Sequence, residues 1–448
     1  MKILIKGAGD LATGVAITLM EAGHQVILTE IAIPLTVRRQ VAFSKAVYEG
    51  EAQVEKHCAS LVSSYEEACK VLNEGKAAVI VDENANIRHQ FKPDVLVDAI
   101  IAKKNLGTTI TDAPIVIGLG PGFEAGVDVH AVIETMRGKT LGCPIYKGKA
   151  ISNTGVPGKV GGYDKERLIK ATGEGIIEPI AKIGEIVKKD QLLAITGGSP
   201  VYAQVGGIIR GMLQRDVMVH EGMKIGDVDP RSDESLVYIV SDKSRIIGNG
   251  VVKAIKDLRY KDYGMVILAA GKSSRFGSNK LVYDIQGKAM IEHLFDTLNE
   301  FPACKRVVVT RFKEIANWAR SCGMEVVINE DSSLGISHSL QLGLSECKGT
   351  KGVLFTVSDQ PWIRAKTIWT IFDTASKNPG KIVGAGTSKE LKNPVFFDKK
   401  WYEELMSLTG DIGGKKVANK HIDDVIICKT NDKELLDIDY PLDCEDLA

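Results

Sequence analysis

Residues 265–280 read MVILAAGKSSRFGSNK, an apolar run that stops in a glycine-rich loop carrying Lys272, Arg275 and Lys280 and no acid. A β-rich run breaking into small residues predicts a buried strand that opens a fresh α/β domain. The small residues let backbone N–H groups approach an anion, and Arg275 and Lys280 are close enough in the chain to reach one polyphosphate. The tripeptide GKS suggests a P-loop, but the first glycine that G-x-x-x-x-G-K-[ST] demands falls on Val266. Alone, the stretch fits a basic surface loop equally well.

Downstream, VVVTR, KEIANWARSC, MEVVIN, GISHSLQLGL, GVLFTVSD and AKTIWTIFDTAS alternate strand and helix patterns. That alternation predicts a doubly wound sheet over 264–448. GVLFTVSDQPW ends a buried-type strand in Asp359, at the carboxyl edge where α/β sheets bind ligands. A carboxylate facing a polyphosphate there is a seat for Mg2+; a turn former or helix cap is the other reading. LTGDIGGKK, with Asp411, and LLDIDYPLDCEDL, an acidic terminal strand running into a helix, each read singly as a turn or a cap.

Taken in order, LAAGKSSRFGSNK, LGISHSLQLGL, VSDQPW, KNPVFF, LTGDIGG and LLDIDYPLDCEDL resemble the MobA-like nucleotidyltransferases, specifically the molybdenum cofactor cytidylyltransferase branch. LAAG in place of LAGG favours the cytidylyl over the guanylyl reaction. Phe276 stands where the family usually has Met, His338 interrupts a small-residue pattern, and Ser358 replaces a common Gly. The resemblance implies transfer of CMP from CTP to molybdopterin with release of pyrophosphate. It implies Lys280 at the α-phosphate, Arg275 on the departing pyrophosphate, and Leu268, Ala269, Ala270 and Gly271 at the base and triphosphate. Asp359, with Asp411, would hold Mg2+. Gly335, Ser337 and Ser339 are candidates for the base or ribose, against an ordinary exposed helix face. Asp439 is a further ligand or a cap.

Upstream, MKILIKGAGDLATG followed by VAITLMEAGHQVILTE reads as strand, glycine turn, helix and strand. Gly7, Gly9 and Ala12 give G-x-G-x-x-A, and Glu30 sits where a ribose partner belongs, the pattern of an NAD(P)-type dinucleotide site. Asp10 opposes that reading by placing negative charge at the helix N-terminus. AAVIVDE, PDVLVDAIIA and APIVIGLGPG continue a Rossmann-like α/β domain over 1–165. VIGLGPGFEAGVDVH runs a strand through Gly118, Gly120 and Gly122 into a helical pattern that would set His130 and Glu134 at i, i+4. With KKNLGTT it forms an oxyanion pocket or a glycine-tolerant turn.

Over 166–240 short β-runs are cut by glycine, and KIGEIVKKDQLLAI echoes MVHEGMKIGDVD. This segment resembles the lipoyl and biotinyl barrel-sandwich, but its tip, GGSPVYA, has Ser199 and Pro200 where a modifiable lysine would lie, so no such attachment is expected. Residues 241–263 are charged, weakly periodic and glycine-interrupted, which suits a linker. GAGDLATGVA, PLTVRRQVAFSKAVYEG, AKKNLGTT, IGLGPGF, VDVHAVIETMRG and NTGVPGKVGG together resemble the YqeB-type accessory proteins of selenium-dependent molybdenum hydroxylase systems. That implies an N-terminal half that binds the cofactor or its cytosine dinucleotide form and hands it to an apo molybdenum hydroxylase.

Composition bounds the rest. With 57 Lys plus Arg against 57 Asp plus Glu, no global field draws the chain to nucleic acid or an anionic membrane, and neither partner is expected. The 8 cysteines show no close metal-ligand spacing and read as reduced core thiols. No apolar run suggests a leader or a span, so a cytoplasmic protein is expected.

Overall fold

Strand Tyr263–Ala269 buries both of its faces: Met265, Ile267 and Ala269 enter one core and Val266 the other, with Leu268 packed against the second. A strand apolar at successive positions is stable only when helices cover both sides of its sheet. In the computed structural model, which describes residues 1–152, 161–271, 276, 279–301, 304–387, 390–438 and 440, this strand is central to a seven-stranded sheet. The order is Glu325–Ile328, Lys305–Thr310, Tyr263–Ala269, Gly352–Val357, Leu391–Asp398, Ile382–Gly386, Val425–Lys429. The first four are parallel, and Leu391–Asp398 runs antiparallel to both of its neighbours. Helices Met290–Leu298, Lys313–Ser321 and Ala365–Lys377 cover one face through Leu294, Ile315 and Phe372. Helix Ile336–Glu346 covers the other through Leu340 and Leu344.

The chain forms two compact units, Met1–Lys256 and Asp257–Ala448. In the first, a nine-stranded sheet has Lys2–Lys6 between Gln25–Glu30 and Val95–Asp98, all three parallel. Ala77–Val81 extends it beyond Gln25–Glu30 and Ile115–Leu119 beyond Val95–Asp98, again in parallel. Helix Asp10–Glu21 follows the first strand directly, with Gly9 as its N-cap. Two four-stranded sheets within 168–229 enclose one core, to which Ile209 and Val228 contribute from one sheet and Ile177 and Leu193 from the other. The hairpin Leu192–Thr196 and Ser199–Tyr202 turns at Gly197 and Gly198, with Ser199 and Pro200 in its returning strand.

The proposed linker is helix Asp242–Tyr260. Its glycines are there for close approach, because a Cβ on Gly248 would strike the Thr18 side chain and one on Gly250 the Gly142 carbonyl. The helical pattern after Gly122 is instead the short strands Glu124–Ala125 and Ala131–Ile133. His130 Nδ1 there accepts the Val116 N–H (3.0 Å), while Glu134 accepts from Met136 (2.7 Å) and Ile151 (2.8 Å), so the pair is not a helical metal motif. Of the terminal acidic stretch, residues 436–438 are irregular, and 439 and 441–448, on which the expected strand-to-helix run and Asp439 fall, lie outside the described residues. No described helix is long and apolar enough to cross a membrane.

Candidate nucleotidyl-transfer site

Thr310 Oγ1 donates to the Ala269 carbonyl (2.9 Å), fixing the end of strand Tyr263–Ala269 where the cationic loop departs. Ala269 and Ala270 are buried, whereas a Cβ on Gly271 would meet no atom within 4 Å. Lys272 and Arg275 lie outside the described residues. The loop returns through Phe276, which packs in a small cluster with Ile285, Met290 and Ile438. Asn279 then accepts the Leu281 N–H (3.2 Å) and caps a short turn that begins at Lys280.

Lys280 Nζ reaches Asp359 Oδ2 at 2.7 Å and the Ile438 carbonyl at 3.0 Å. The two residues follow neighbouring parallel strands, Tyr263–Ala269 and Gly352–Val357, so the sheet itself brings cation and carboxylate together. Their side chains are 14% and 23% exposed, between a surface pair and a buried one. The Ile438 N–H donates to the Asp359 carbonyl (3.0 Å), so Ile438 is bonded to both members of the pair through its backbone.

Asp359 Oδ1 is buried and has no hydrogen-bond partner among the described residues. A buried anionic oxygen without a donor is costly, and it suits a cation ligand. Among the described residues no group of three or more His, Cys, Asp or Glu could hold a metal ion. That donor set fits Mg2+, which takes one or two protein carboxylates and otherwise water and substrate phosphate.

Other expected site residues hold the scaffold. Asp411 Oδ1 accepts the Ile336 N–H (3.4 Å) at the start of helix Ile336–Glu346. Ser337 Oγ donates to the Gly410 carbonyl (2.7 Å), and Ser339 Oγ accepts from Asn329 Nδ2 (2.8 Å). Both serines are buried, which replaces the exposed-hydroxyl expectation with a structural one. Gly335, at φ 83°, is needed because a Cβ there would collide with the Gly410 carbonyl and lie 2.6 Å from the Asp411 nitrogen.

A cavity of about 290 Å³ lies beyond Gln360, lined by Leu268, Ile336, Lys392, Asn393, Lys415 and Asp437 among others. Gln360 Nε2 donates to Asp437 Oδ1 (2.9 Å) while its buried Oε1 has no partner among the described residues. Sequence reasoning named Leu268 but missed Lys392, Asn393, Lys415 and Asp437, although KNPVFF and the lysines ending LTGDIGGKK were the available signal.

In the first unit, Gly7, Gly9, Asp10 and Glu30 line a single cavity of about 840 Å³. Gly118, Gly120 and Gly122 do not join them among its lining residues. A Cβ on Gly118 would lie 2.5 Å from the Phe123 ring, one on Gly120 2.5 Å from Thr135 Oγ1, and one on Gly122 2.7 Å from the Lys104 nitrogen. At these three positions the absence of a side chain admits close packing of protein against protein.

With the loop, the paired Lys280 and Asp359, and the sheet order on the page, comparison with known proteins is decisive for one part of the chain. Residues 265–425 match the MobA-like NTP transferase domain. The chain is 41% identical over 64 residues to a probable molybdenum cofactor guanylyltransferase of Pyrococcus horikoshii, 14% of this chain and 33% of that protein. The chain is also 45% identical over 259 residues to the uncharacterized protein YqeB of Escherichia coli (strain K12), 58% of this chain and 48% of that protein. The chain spans about half or less of the length of the curated relatives it matches. Among solved structures, Rv0371c of Mycobacterium tuberculosis H37Rv shares 21% identity over 41% of this chain and 95% of that one, with a TM-score of 0.36. The MobA-like match supports nucleotidyl transfer by residues 265–425.

Proposed function

We propose that the MobA-like domain transfers CMP from CTP to molybdopterin. The observation that carries the transfer site is Asp359 at the end of a central parallel strand, one oxygen on Lys280 at 2.7 Å and the other buried without a partner among the described residues. The terminal phosphate oxygen of molybdopterin attacks the α-phosphorus, a new P–O–P link forms, the α–β bridging bond breaks and pyrophosphate leaves. The nucleophile is already an anion, so positioning and charge neutralisation matter more than a general base.

Lys280 neutralises charge at the α-phosphate, and the backbone of Leu268 to Gly271 meets the nucleotide. Arg275 is assigned to the departing pyrophosphate on the sequence pattern alone. Asp359 Oδ1 is the ligand for Mg2+, which when bound offsets the charge of the reacting phosphates. Asp411 orders the loop and helix that wall the site. The cavity beyond Gln360, with Lys392, Asn393 and Lys415, receives the phosphorylated acceptor. Its size suits a small heterocycle.

CTP is favoured by the sequence LAAG, while the Pyrococcus horikoshii relative is named as a guanylyltransferase, so GTP is the competing donor. The N-terminal unit, by its likeness to YqeB, serves as the accessory half that receives the finished cofactor for an apo molybdenum hydroxylase. Pyrophosphate release measured with molybdopterin and CTP, GTP or ATP tests the reading. CTP is expected to turn over fastest; no release with any nucleotide would leave a non-catalytic delivery scaffold, and a preference for GTP would reassign the donor.

A further inference from the structure

Four parallel strands of the first unit, Lys2–Lys6, Gln25–Glu30, Ala77–Val81 and Val95–Asp98, deliver their carboxyl ends to the cavity of about 840 Å³. The chain leaves Lys2–Lys6 toward Gln25–Glu30 and later returns to its other side as Val95–Asp98, so the cavity lies where the strand order reverses. Such a crevice is where an open parallel sheet binds ligands.

Glu30 shows which chemistry the cavity accepts. Its Oε2 takes the Ala8 N–H and its Oε1 the Ile31 N–H, each at 2.9 Å. One donor per oxygen leaves a further lone pair on each, a pair of adjacent acceptors matched to a vicinal diol. Burial pushes the Glu30 carboxyl above its ordinary range, so further donors would relieve a real cost.

Beside it, helix Asp10–Glu21 starts at Gly9 with no side chain capping its first turn. Asp10, which alone would repel an anion, is paired with Arg38 at 3.6 Å. The Arg38 side chain is 10% exposed, and its Nε is buried without a hydrogen-bond partner among the described residues. A phosphate here meets open helix N–H groups and a buried guanidinium with a donor unused. The exposed apolar residues Leu35, Ile100 and Leu106 line the same cavity and offer a lip for a flat ring.

Charge limits the occupant. Asp10, Glu30, Asp82 and Glu83 line the cavity against the cations Arg38 and Lys224. That balance disfavours a triphosphate, and a phosphate on the ribose 2′ oxygen would face Glu30 directly.

We propose that this cavity binds a ribonucleotide with a free 2′,3′-diol, the diol on Glu30, the phosphate on the first turn of helix Asp10–Glu21 with Arg38, and the base against Leu35, Ile100 and Leu106. The same chemistry comes from a dinucleotide cofactor or from a cytidylylated product, and the two are separated by the probe. Calorimetric titration of the full chain carrying Lys280→Ala, which removes a phosphate contact in the other unit, uses NAD+, NADP+, CMP and 2′-deoxy-CMP, and binding is assigned to this cavity only where Arg38→Ala weakens it. NAD+ binding identifies the cofactor, and CMP binding without NAD+ identifies the product; either supports the site.

The 2′-deoxy and 2′-phosphate forms are expected to bind about tenfold or more weakly, and Glu30→Gln to erase that preference. Equal affinity for CMP and 2′-deoxy-CMP, or no binding of any probe at about 1 mM, overturns the proposal. The ribose preference needs no variant, so it stands even where Glu30→Gln fails to fold. With Lys280 restored, pyrophosphate release by Glu30→Gln stays at the wild-type level, which separates this site from the transfer reaction.

Discussion

Asp359→Asn removes one charge and almost no volume at the centre of the proposed site. Its partner Lys280 lies 2.7 Å away, and the side chains are 23% and 14% exposed. Exposed pairs contribute about 0–1 kcal/mol, whereas breaking a buried pair costs about 3–5 kcal/mol. The intermediate burial therefore gives a stability loss of about 1–2 kcal/mol, which for a domain of this size lowers Tm by roughly 2–8 °C. The effect on turnover should be much larger. Removing one preorganised electrostatic partner of a transition state costs about 10²- to 10³-fold in rate, or about 2.7–4 kcal/mol. Asp359 acts twice, because its Oδ2 holds Lys280 and its Oδ1 is the proposed seat of Mg2+. The assay is pyrophosphate release with CTP and molybdopterin over a Mg2+ titration, beside a melting curve of the same preparation. A folded variant is expected to lose at least about 10²-fold and to need more Mg2+ for half its residual rate. Turnover within about threefold of wild type, with an unchanged Mg2+ requirement, would refute the assignment.

Lys280→Ala should depress pyrophosphate release far more than Lys272→Ala, because Lys272 belongs to a GKS whose P-loop glycine is missing at Val266. A larger loss at Lys272 would overturn the reading of the loop. In the first unit, two hydrogen bonds from Arg137 (2.9 Å each) hold the Asp242 carboxyl at about 2, below its ordinary 3.8. A carboxyl lowered in the folded state adds stability that is full above about pH 4 and lost as pH falls through about 2. Asp242→Asn should thus destabilise the unit at pH 7 by under about 1 kcal/mol, since both side chains are mostly exposed, and the gap to wild type in urea titrations should narrow below about pH 4.

The sequence reveals what local periodicity controls and hides what distant packing controls. Tyr263–Ala269, Gly352–Val357 and helices Ile336–Glu346 and Ala365–Lys377 were legible because apolar runs and helical spacing follow directly from burial. Asp359 and Lys280 were legible as separate strand-end and loop charges; their contact was not, since it depends on which strands pair. Gly248 and Gly250 read as breaks because a glycine that interrupts a helix and one that admits a neighbouring backbone look identical in sequence. Ser337 and Ser339 read as base or ribose contacts or as an exposed helix face, and their burial was hidden for a similar reason. Their partners, Gly410 and Asn329, come from elements that the helix pattern does not reveal. The N-terminal cavity was half visible: Gly7, Gly9 and Glu30 lie in one motif, but Arg38, Asp82 and Ile100 arrive from three other segments.

The two units use the same device, a glycine-containing turn after a central parallel strand, with opposite charge logic. In the C-terminal unit the loop sequence carries cations, and the carboxylate of Asp359 keeps one oxygen without a donor among the described residues. Added negative charge is welcome there, as long as a divalent cation accompanies it. In the N-terminal unit the Ala8 N–H of the turn is already taken by Glu30, and Asp10 is held by Arg38. A polyphosphate would have to displace a carboxylate from its own donors, while a diol would only add donors to it. Charge placement around similar turns therefore separates the tasks: the C-terminal turn suits the nucleoside triphosphate that reacts, and the N-terminal turn suits a ribonucleotide that is held.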